Sequence, residues 1–213
     1  DYQMAVNNLQ IAIDEFANWA NRWKIKLNEN KSTMTTYTYR KYGYAFISIN
    51  GSIIPQTNAS KYLGLHLDSR LNWNHHIKVK RKELDYRLKN LHWLLGRKSK
   101  LSLENKRLLY NSILRPVWQY GAPLWGCAKK ANRNIIQRFQ NKTLRMMSNA
   151  PWYVSNKTLH RDWKILTVDE IISTSSKAHA KRLYQHPNTE AIQLLDNNTT
   201  RRLARTKTTD FFV

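Results

Sequence analysis

A single cysteine, Cys127, in a chain of 213 residues leaves no partner for an internal disulfide and no set of thiolates for a zinc site. Glycine and proline are sparse, six and five residues, which excludes collagen-like and low-complexity structure and makes each of them a turn or a break. No apolar run approaches about 18 residues, so no segment is long enough to span a bilayer as a helix, and no membrane partner is expected. The N-terminus, Asp1-Tyr2-Gln3-Met4, lacks the basic-then-apolar order of a secretion signal. The expected setting is intracellular. Asp1 also opens a helical pattern without an initiator methionine, as expected of a C-terminal piece of something longer.

Acids are scarce too, 14 Asp and Glu against 36 Lys and Arg. Two-metal phosphoryl chemistry needs clustered carboxylates, and no Asp-x-Asp or Asp-Asp pair occurs. Among seven histidines only His75 and His76 are adjacent, and no third ligand stands at a usual metal spacing. No nucleophile with its base and no phosphate-cradling glycine loop can be picked out.

What the chain has is positive charge, +22 in total, and its distribution says more than its sum. Residues 1–60 hold six basic and four acidic residues, 61–150 hold twenty and four, and 151–213 hold ten and six, so the middle segment carries +16. A single-sign field concentrated in one segment points to a polyanion such as nucleic acid.

In chain order, Leu9, Ile13, Phe16, Ala20, Trp23 and Leu27 recur at helical spacing and predict one amphipathic helix ended by Asn28-Glu29-Asn30. Lys31 follows at the corner into Thr33–Tyr39, which favours strand. Asn50-Gly51 between Ala45–Ile49 and Ser52–Ile54 is the signature of a two-residue hairpin. Lys61, Tyr62, Leu63 and Gly64 open a period-two stretch to Asp68 that reads as one strand, with Leu63, Leu65 and Leu67 buried and Gly64 on the other face; either a bulge in a core strand or a close approach of another backbone or ligand accounts for that glycine.

Beyond Asp68 the pattern is helical. Ile77, Leu84, Leu88, Leu91 and Leu95 form the apolar face of one helix from Trp73 to Leu95, stopped by Gly96, with Lys78, Lys80, Arg81, Lys82, Arg87 and Lys89 around it. A second helix opens at an N-cap Ser102 and runs to Pro116, which must end or kink it, and Pro116–Gly126 then reads as an aromatic-filled connector. A third spans roughly Ala131–Ser148, with Ile136, Phe139, Thr143 and Met147 inward and Arg138, Lys142 and Arg145 as a separate stripe. Ser155 and Thr167 are N-cap candidates, the latter with Glu170 in a capping box. A short helix near Ala191–Leu195 and a basic, Thr-rich tail from Asn197 close the chain. The expected class is α+β: a helix with short antiparallel strands and hairpins, then a basic three-helix bundle, then further helices.

Three strings in this order carry a resemblance: Trp23-Lys24-Ile25-Lys26-Leu27-Asn28-Glu29-Asn30-Lys31-Ser32, then Lys61-Tyr62-Leu63-Gly64, then Leu114-Arg115-Pro116-Val117-Trp118-Gln119-Tyr120-Gly121-Ala122-Pro123-Leu124-Trp125-Gly126. Over nearly the whole chain the sequence resembles the reverse transcriptases of non-LTR (LINE-type) retrotransposons, most of all the jockey group. The resemblance implies that residues 1–68 are the last part of a polymerase palm, 69–150 the thumb, and 151–213 a C-terminal extension beginning Pro151-Trp152-Tyr153. It implies an RNA template and a DNA primer as partners, with the upstream part of the same polyprotein, in a ribonucleoprotein of nucleus and cytoplasm. It also implies magnesium for the full-length polymerase, whose aspartates would lie before Asp1, and no cofactor in this chain, so that the chain alone is expected not to extend a primer. Lys61–Gly64 would be a primer-grip strand. Lys31 would be a proton donor to the departing pyrophosphate, with a solvated turn lysine as the other reading. The expected contacts with an RNA–DNA hybrid are Lys78, Arg81, Lys82, Arg87 and Lys89, then Arg138, Lys142 and Arg145, and replacing Lys78, Arg81 and Lys82 by Gln is expected to leave folding intact. Two rival functions are a free-standing basic RNA-binding module and a structural protein derived from a mobile element.

Overall fold

The computed structural model describes residues 2–39, 43 and 45–193, in two compact units that divide between Leu71 and Asn72. The architecture is α+β, with both small antiparallel sheets ending by Asp68 and, among the described residues, only helices as regular elements after it. The basic tail expected from Asn197, and the last two residues of the helix expected at Ala191–Leu195, lie outside the described residues.

In the first unit α1 spans Tyr2–Arg22. It buries Ala17 and Ala20, with Val6, Gln10 and Ile13 half-buried on the same side. The expected face is thus turned: Leu9, Phe16 and Trp23 are exposed, together with Trp19. The reason is a polar side chain on the inner stripe. Gln10 accepts from the Ser48 N–H (2.9 Å) and donates to the Ser48 carbonyl (3.0 Å), as a strand neighbour would. The helix also stops earlier than Asn28. Lys24 takes φ +57°, and the Ile25 N–H reaches back to Ala20 (2.8 Å) and the Lys24 N–H to Asn21 (3.1 Å), a Schellman ending usually built on glycine. With six glycines in the chain, two other helix ends are made the same way, on Asn149 (φ +52°) and Lys164 (φ +50°).

The Asn50-Gly51 hairpin forms as expected, β1 (Ser48–Ile49) against β2 (Ser52–Ile53), both turn residues at positive φ. Its strands are shorter than the pattern, although Ala45, Ile47 and Ile54 are buried. Thr33–Tyr39 makes no regular strand. Its backbone is satisfied by scattered bonds, Met34 N–H to Pro55 and Thr38 N–H to Ser69, beside one bridge between Met34 and Gln56; β propensity without a partner edge yields no ladder.

The stretch from Lys61 to Asp68 is the largest departure from the expected strand. It folds back on itself as a hairpin, β3 (Ala59–Tyr62) paired with β4 (Leu65–Asp68), Tyr62 opposite Leu65. Leu63 (φ +45°) and Gly64 (φ +78°) are its two-residue turn, which explains the glycine without a bulge. Only Leu65 of the three leucines is fully buried, and Leu63 stands exposed at the tip.

In the second unit α2 (Asn74–Asn90) buries Ile77, Leu84 and Leu88, and the single helix expected to Leu95 breaks at Leu91 before the one-turn α3 (His92–Leu95). Ser102 caps α4 (Leu103–Leu109), accepting from the Asn105 N–H. Pro116 does not end this helix. A π turn at Tyr110–Leu114 leads into α5 (Arg115–Gln119), and the wider turn relieves the clash between the proline ring and the preceding carbonyls. The supposed connector is therefore α5 and α6 (Ala122–Trp125), joined at Gly121 (φ +66°). Their Trp118 and Trp125 are core residues with ring centroids 6.4 Å apart, and the Trp125 indole donates to the Trp118 and Tyr120 carbonyls. Burial pushes the neighbouring Tyr110 hydroxyl up to about 12.

The long α7 (Lys130–Ser148) buries Ile136, Phe139, Thr143 and Met147 as its spacing predicts, and Gln140 and Leu144 besides. It packs on α2 and on α8 (Asn156–Trp163), and α9 (Val168–Tyr184) packs on α6. Ser155 caps α8, and Thr167 with Glu170 forms the capping box of α9. Gly126 permits the contact with α9, since a Cβ there would lie 2.4 Å from Ile172 Cγ2. The last described helix, α10, is Thr189–Gln193.

Candidate nucleic-acid interface

In the first unit Lys31 ends a single 3-10 turn (Glu29–Lys31) whose cap is Asn28; the Lys31 N–H donates to Asn28 Oδ1 (3.0 Å), leaving the ammonium stem exposed. Asn50 of the first hairpin donates to Glu29 (2.9 Å), and this hydrogen bond chiefly holds the Glu29 carboxyl below its ordinary value. Lys61, Tyr62 and Leu63 are exposed at the tip of the second hairpin, beside half-buried Gly64.

In the second unit the cations of α2 divide into two kinds. Lys80 and Arg87 both bond Glu83, at 3.3 and 2.8 Å. Partial burial pushes the Glu83 carboxyl up, but Lys80 and then Arg87 outweigh it and hold it below the ordinary value. Arg81 makes a fork with both Asp85 oxygens (3.0 Å each), donates to the Ile135 carbonyl (3.3 Å) and lies 5.2 Å from the centre of the Phe139 ring. It is a packing element between α2 and α7 as much as a surface charge.

Lys78, Lys82 and Lys89 are exposed and have no ionic partner among the described residues. With His75 and the exposed Tyr86 they follow one another at steps of three and four, so they form one stripe on the outer side of α2. Like charges at that spacing repel by a few tenths of a kcal/mol per pair. A polyanion laid along the stripe removes that cost.

On α7, Arg138 and Lys142 are exposed one turn apart. Arg145 is not free to join them: its guanidinium donates to the carbonyls of Pro151 and Val154 and to Asn156 Oδ1, holding the turn before α8. Sequence reading missed Tyr86, and it missed a basic groove where Trp93, Arg97 and Lys98 face Lys142 and Arg145. Aromatic residues interleaved with lysine and arginine were the available signal.

Among the described residues no three His, Cys, Asp or Glu side chains converge to hold a metal ion. His76 is spoken for by the core, edge-on to Trp73 and near Trp125. Asp169 pairs with Arg133 at 2.7 Å while its neighbour Glu170 serves the Thr167 cap. Among the described residues, this donor set does not fit magnesium.

Compared with known proteins, the chain is 40% identical over 207 residues to a probable RNA-directed DNA polymerase from transposon X-element of Drosophila melanogaster, 97% of this chain and 23% of that protein. It is 37% identical over 203 residues to a probable RNA-directed DNA polymerase from transposon BS of the same species, 94% of this chain and 22% of that protein. To the RNA-directed DNA polymerase from mobile element jockey of D. melanogaster it is 34% identical over 190 residues, 89% and 21%. The chain thus spans less than a quarter of the length of these relatives. No family model and no solved structure matches it. Matched along almost its whole length, the chain belongs to the family of non-LTR transposon RNA-directed DNA polymerases and corresponds to one part of such a protein.

Proposed function

We propose that this part of a non-LTR retrotransposon reverse transcriptase holds the RNA template and DNA primer as an RNA–DNA hybrid while carboxylates elsewhere in the polymerase carry the magnesium ions. The observation that carries the reading is the α2 stripe. Lys78, Lys82 and Lys89 stand exposed without ionic partners among the described residues, whereas Lys80, Arg81 and Arg87 on the same helix are taken up by Glu83 and Asp85. Charges left unneutralised in a row suit a phosphate backbone, whose released counterions supply the affinity. Arg138 and Lys142 add a second basic pair.

In the first unit, Lys61–Gly64 at the exposed hairpin tip would touch the primer backbone. Lys31, with its ammonium in solvent, has the chemistry to donate a proton to a leaving polyphosphate. Leu9, Phe16, Trp19 and Trp23 leave an apolar face of α1 open, Phe16 stacked on Trp19 at 5.7 Å, and the upstream part of the same polyprotein would cover it. The working particle would be a ribonucleoprotein of nucleus and cytoplasm.

The test is hybrid binding by the purified chain at several salt concentrations. Log affinity is expected to fall linearly with log salt, with a slope of about 0.9 per phosphate contacted. A flat dependence, or tighter binding to folded RNA than to hybrid, would overturn the reading.

A further inference from the structure

We infer that the groove between α3 and the end of α7 is a separate binding site for single-stranded nucleic acid, with Trp93, Trp152 and Tyr153 as the surfaces on which bases stack. The inference rests on the reading of this chain as a nucleic-acid-binding part of a polymerase, and it adds a site that the hybrid surface of α2 does not include, sharing with the hybrid contacts only Lys142 of the α7 pair.

The groove encloses about 710 Å³, and its wall carries Arg97, Lys98, Lys142 and Arg145 with no acidic residue. Arg97, Lys98 and Lys142 have no hydrogen-bond or ionic partner among the described residues, so their charge is available to a ligand. Trp93 belongs to the same wall and is 73% exposed. An indole left that far in water on a one-turn helix has not been placed there by core packing.

The other rim is Asn149 and Ala150, where α7 ends in the left-handed Asn149. Two residues on, Trp152 and Tyr153 are 89% and 71% exposed, their rings edge to face with centroids 6.0 Å apart. They are not a frayed loop. Arg145 bonds the carbonyl before them (Pro151) and the carbonyl after them (Val154), and the Val154 N–H closes the turn on Pro151. One guanidinium, itself on the groove wall, therefore fixes the peptide that presents two bare aromatic rings just beyond the rim at Ala150.

That combination suits a strand whose bases are unpaired. In a duplex the π-faces are covered by neighbouring pairs, whereas in a single strand they are open to indole and phenol rings and the backbone is open to lysine and arginine. The site should tolerate sequence, because every base has a face to stack.

The test uses the whole chain, an RNA–DNA hybrid and single-stranded oligonucleotides of about ten residues, one RNA and one DNA, a length that such sites commonly occupy. Trp152→Ala with Tyr153→Ala, and Trp93→Ala, are each expected to weaken single-strand binding by about tenfold or more, while hybrid binding and the melting curve stay as in the parent because these rings are exposed. Trp152→Phe with Tyr153→Phe should restore most of the affinity, since Phe stacks. Arg97→Gln with Lys98→Gln should reduce the salt slope for the single strand. The RNA and DNA arms show whether the groove reads the 2′-hydroxyl.

Single-strand binding unchanged by the alanine variants, or absent from the parent, overturns the inference while hybrid binding upholds the function. Single-strand binding that depends on these rings, in a chain that ignores hybrid, supports the groove and overturns the hybrid reading instead.

Discussion

The ammonium of Lys106 lies 3.2 Å from the carbonyl oxygen of Gly96, and the same group donates to Met147 at 3.4 Å, with the residue 4% exposed. A cation on α4 therefore bonds carbonyls at the ends of both α3 and α7, where carbonyls have no helical N–H to accept from and the helix dipole is negative. No carboxylate pairs with Lys106 among the described residues.

Replacing Lys106 by Met keeps the stem but strands the Met147 carbonyl in the interior, whereas the Gly96 carbonyl keeps the Ser99 N–H (3.1 Å). A hydrogen bond to a charged group contributes about 1.5–3 kcal/mol, so Lys106→Met should lower unfolding stability by about 2 kcal/mol in urea titration. A loss under about 0.5 kcal/mol would mean that water satisfies the Met147 carbonyl as well.

Arg81 and the α2 lysines should separate cleanly. Arg81→Gln breaks the fork with Asp85, the bond to Ile135 and the contact with Phe139, and should cost about 1–2 kcal/mol of stability. Lys78→Gln, Lys82→Gln and Lys89→Gln together should leave stability within about 0.5 kcal/mol. They should reduce the salt slope for hybrid binding by up to about three contacts. Chemical denaturation and anisotropy titration read the two effects, and a triple variant that binds like its parent would move the hybrid to the Arg138 and Lys142 side.

Leu63 occupies a left-handed turn position (φ +45°) that favours Asn or Gly. Leu63→Asn creates Asn-Gly at the tip of the second hairpin and should stabilise the first unit by about 0.5–1 kcal/mol. Because Leu63 is 70% exposed, little packing is lost. Thermal unfolding decides it, and a lower midpoint would show that the leucine has a contact worth more than the strain.

Acid should weaken the second unit through two carboxylates. The Thr167 backbone N–H and then its hydroxyl hold Glu170 below its ordinary value, and Lys80 and Arg87 do so for Glu83 against the effect of partial burial. A carboxyl depressed in the folded state adds stability above its unfolded value, about 4, and loses it as pH falls through the folded value. Stability should therefore fall on acidification below about pH 5, and the fall should be shallower in Glu170→Gln and in Glu83→Gln. Equal slopes in parent and variants would refute these two groups as its source.

What the sequence determined by itself is what local chemistry controls. The Asn50-Gly51 turn, the Ser102, Ser155 and Thr167 caps and the inward stripe of α7 are set within a few residues, by φ preference, by a hydroxyl near a free N–H, and by 3.6-residue spacing. The family was also readable, because three strings of ordered residue types survive translation into a fold. Tertiary structure decided the rest. Gln10 turned α1 by pairing with Ser48, and the Tyr110–Leu114 π turn let a helix run through Pro116. A partner strand folding back made two strands of Lys61–Asp68. The site followed the same rule. Lysine and arginine look alike in sequence, and only the positions of Asp85, Glu83, the Pro151 carbonyl and the Gly96 carbonyl separate those held in the fold, Arg81, Arg87, Arg145 and Lys106, from Lys78, Lys82, Lys89, Arg138 and Lys142, which are exposed without an ionic partner among the described residues. A side chain's charge is local, but whether a partner has already neutralised it depends on residues far away in the chain.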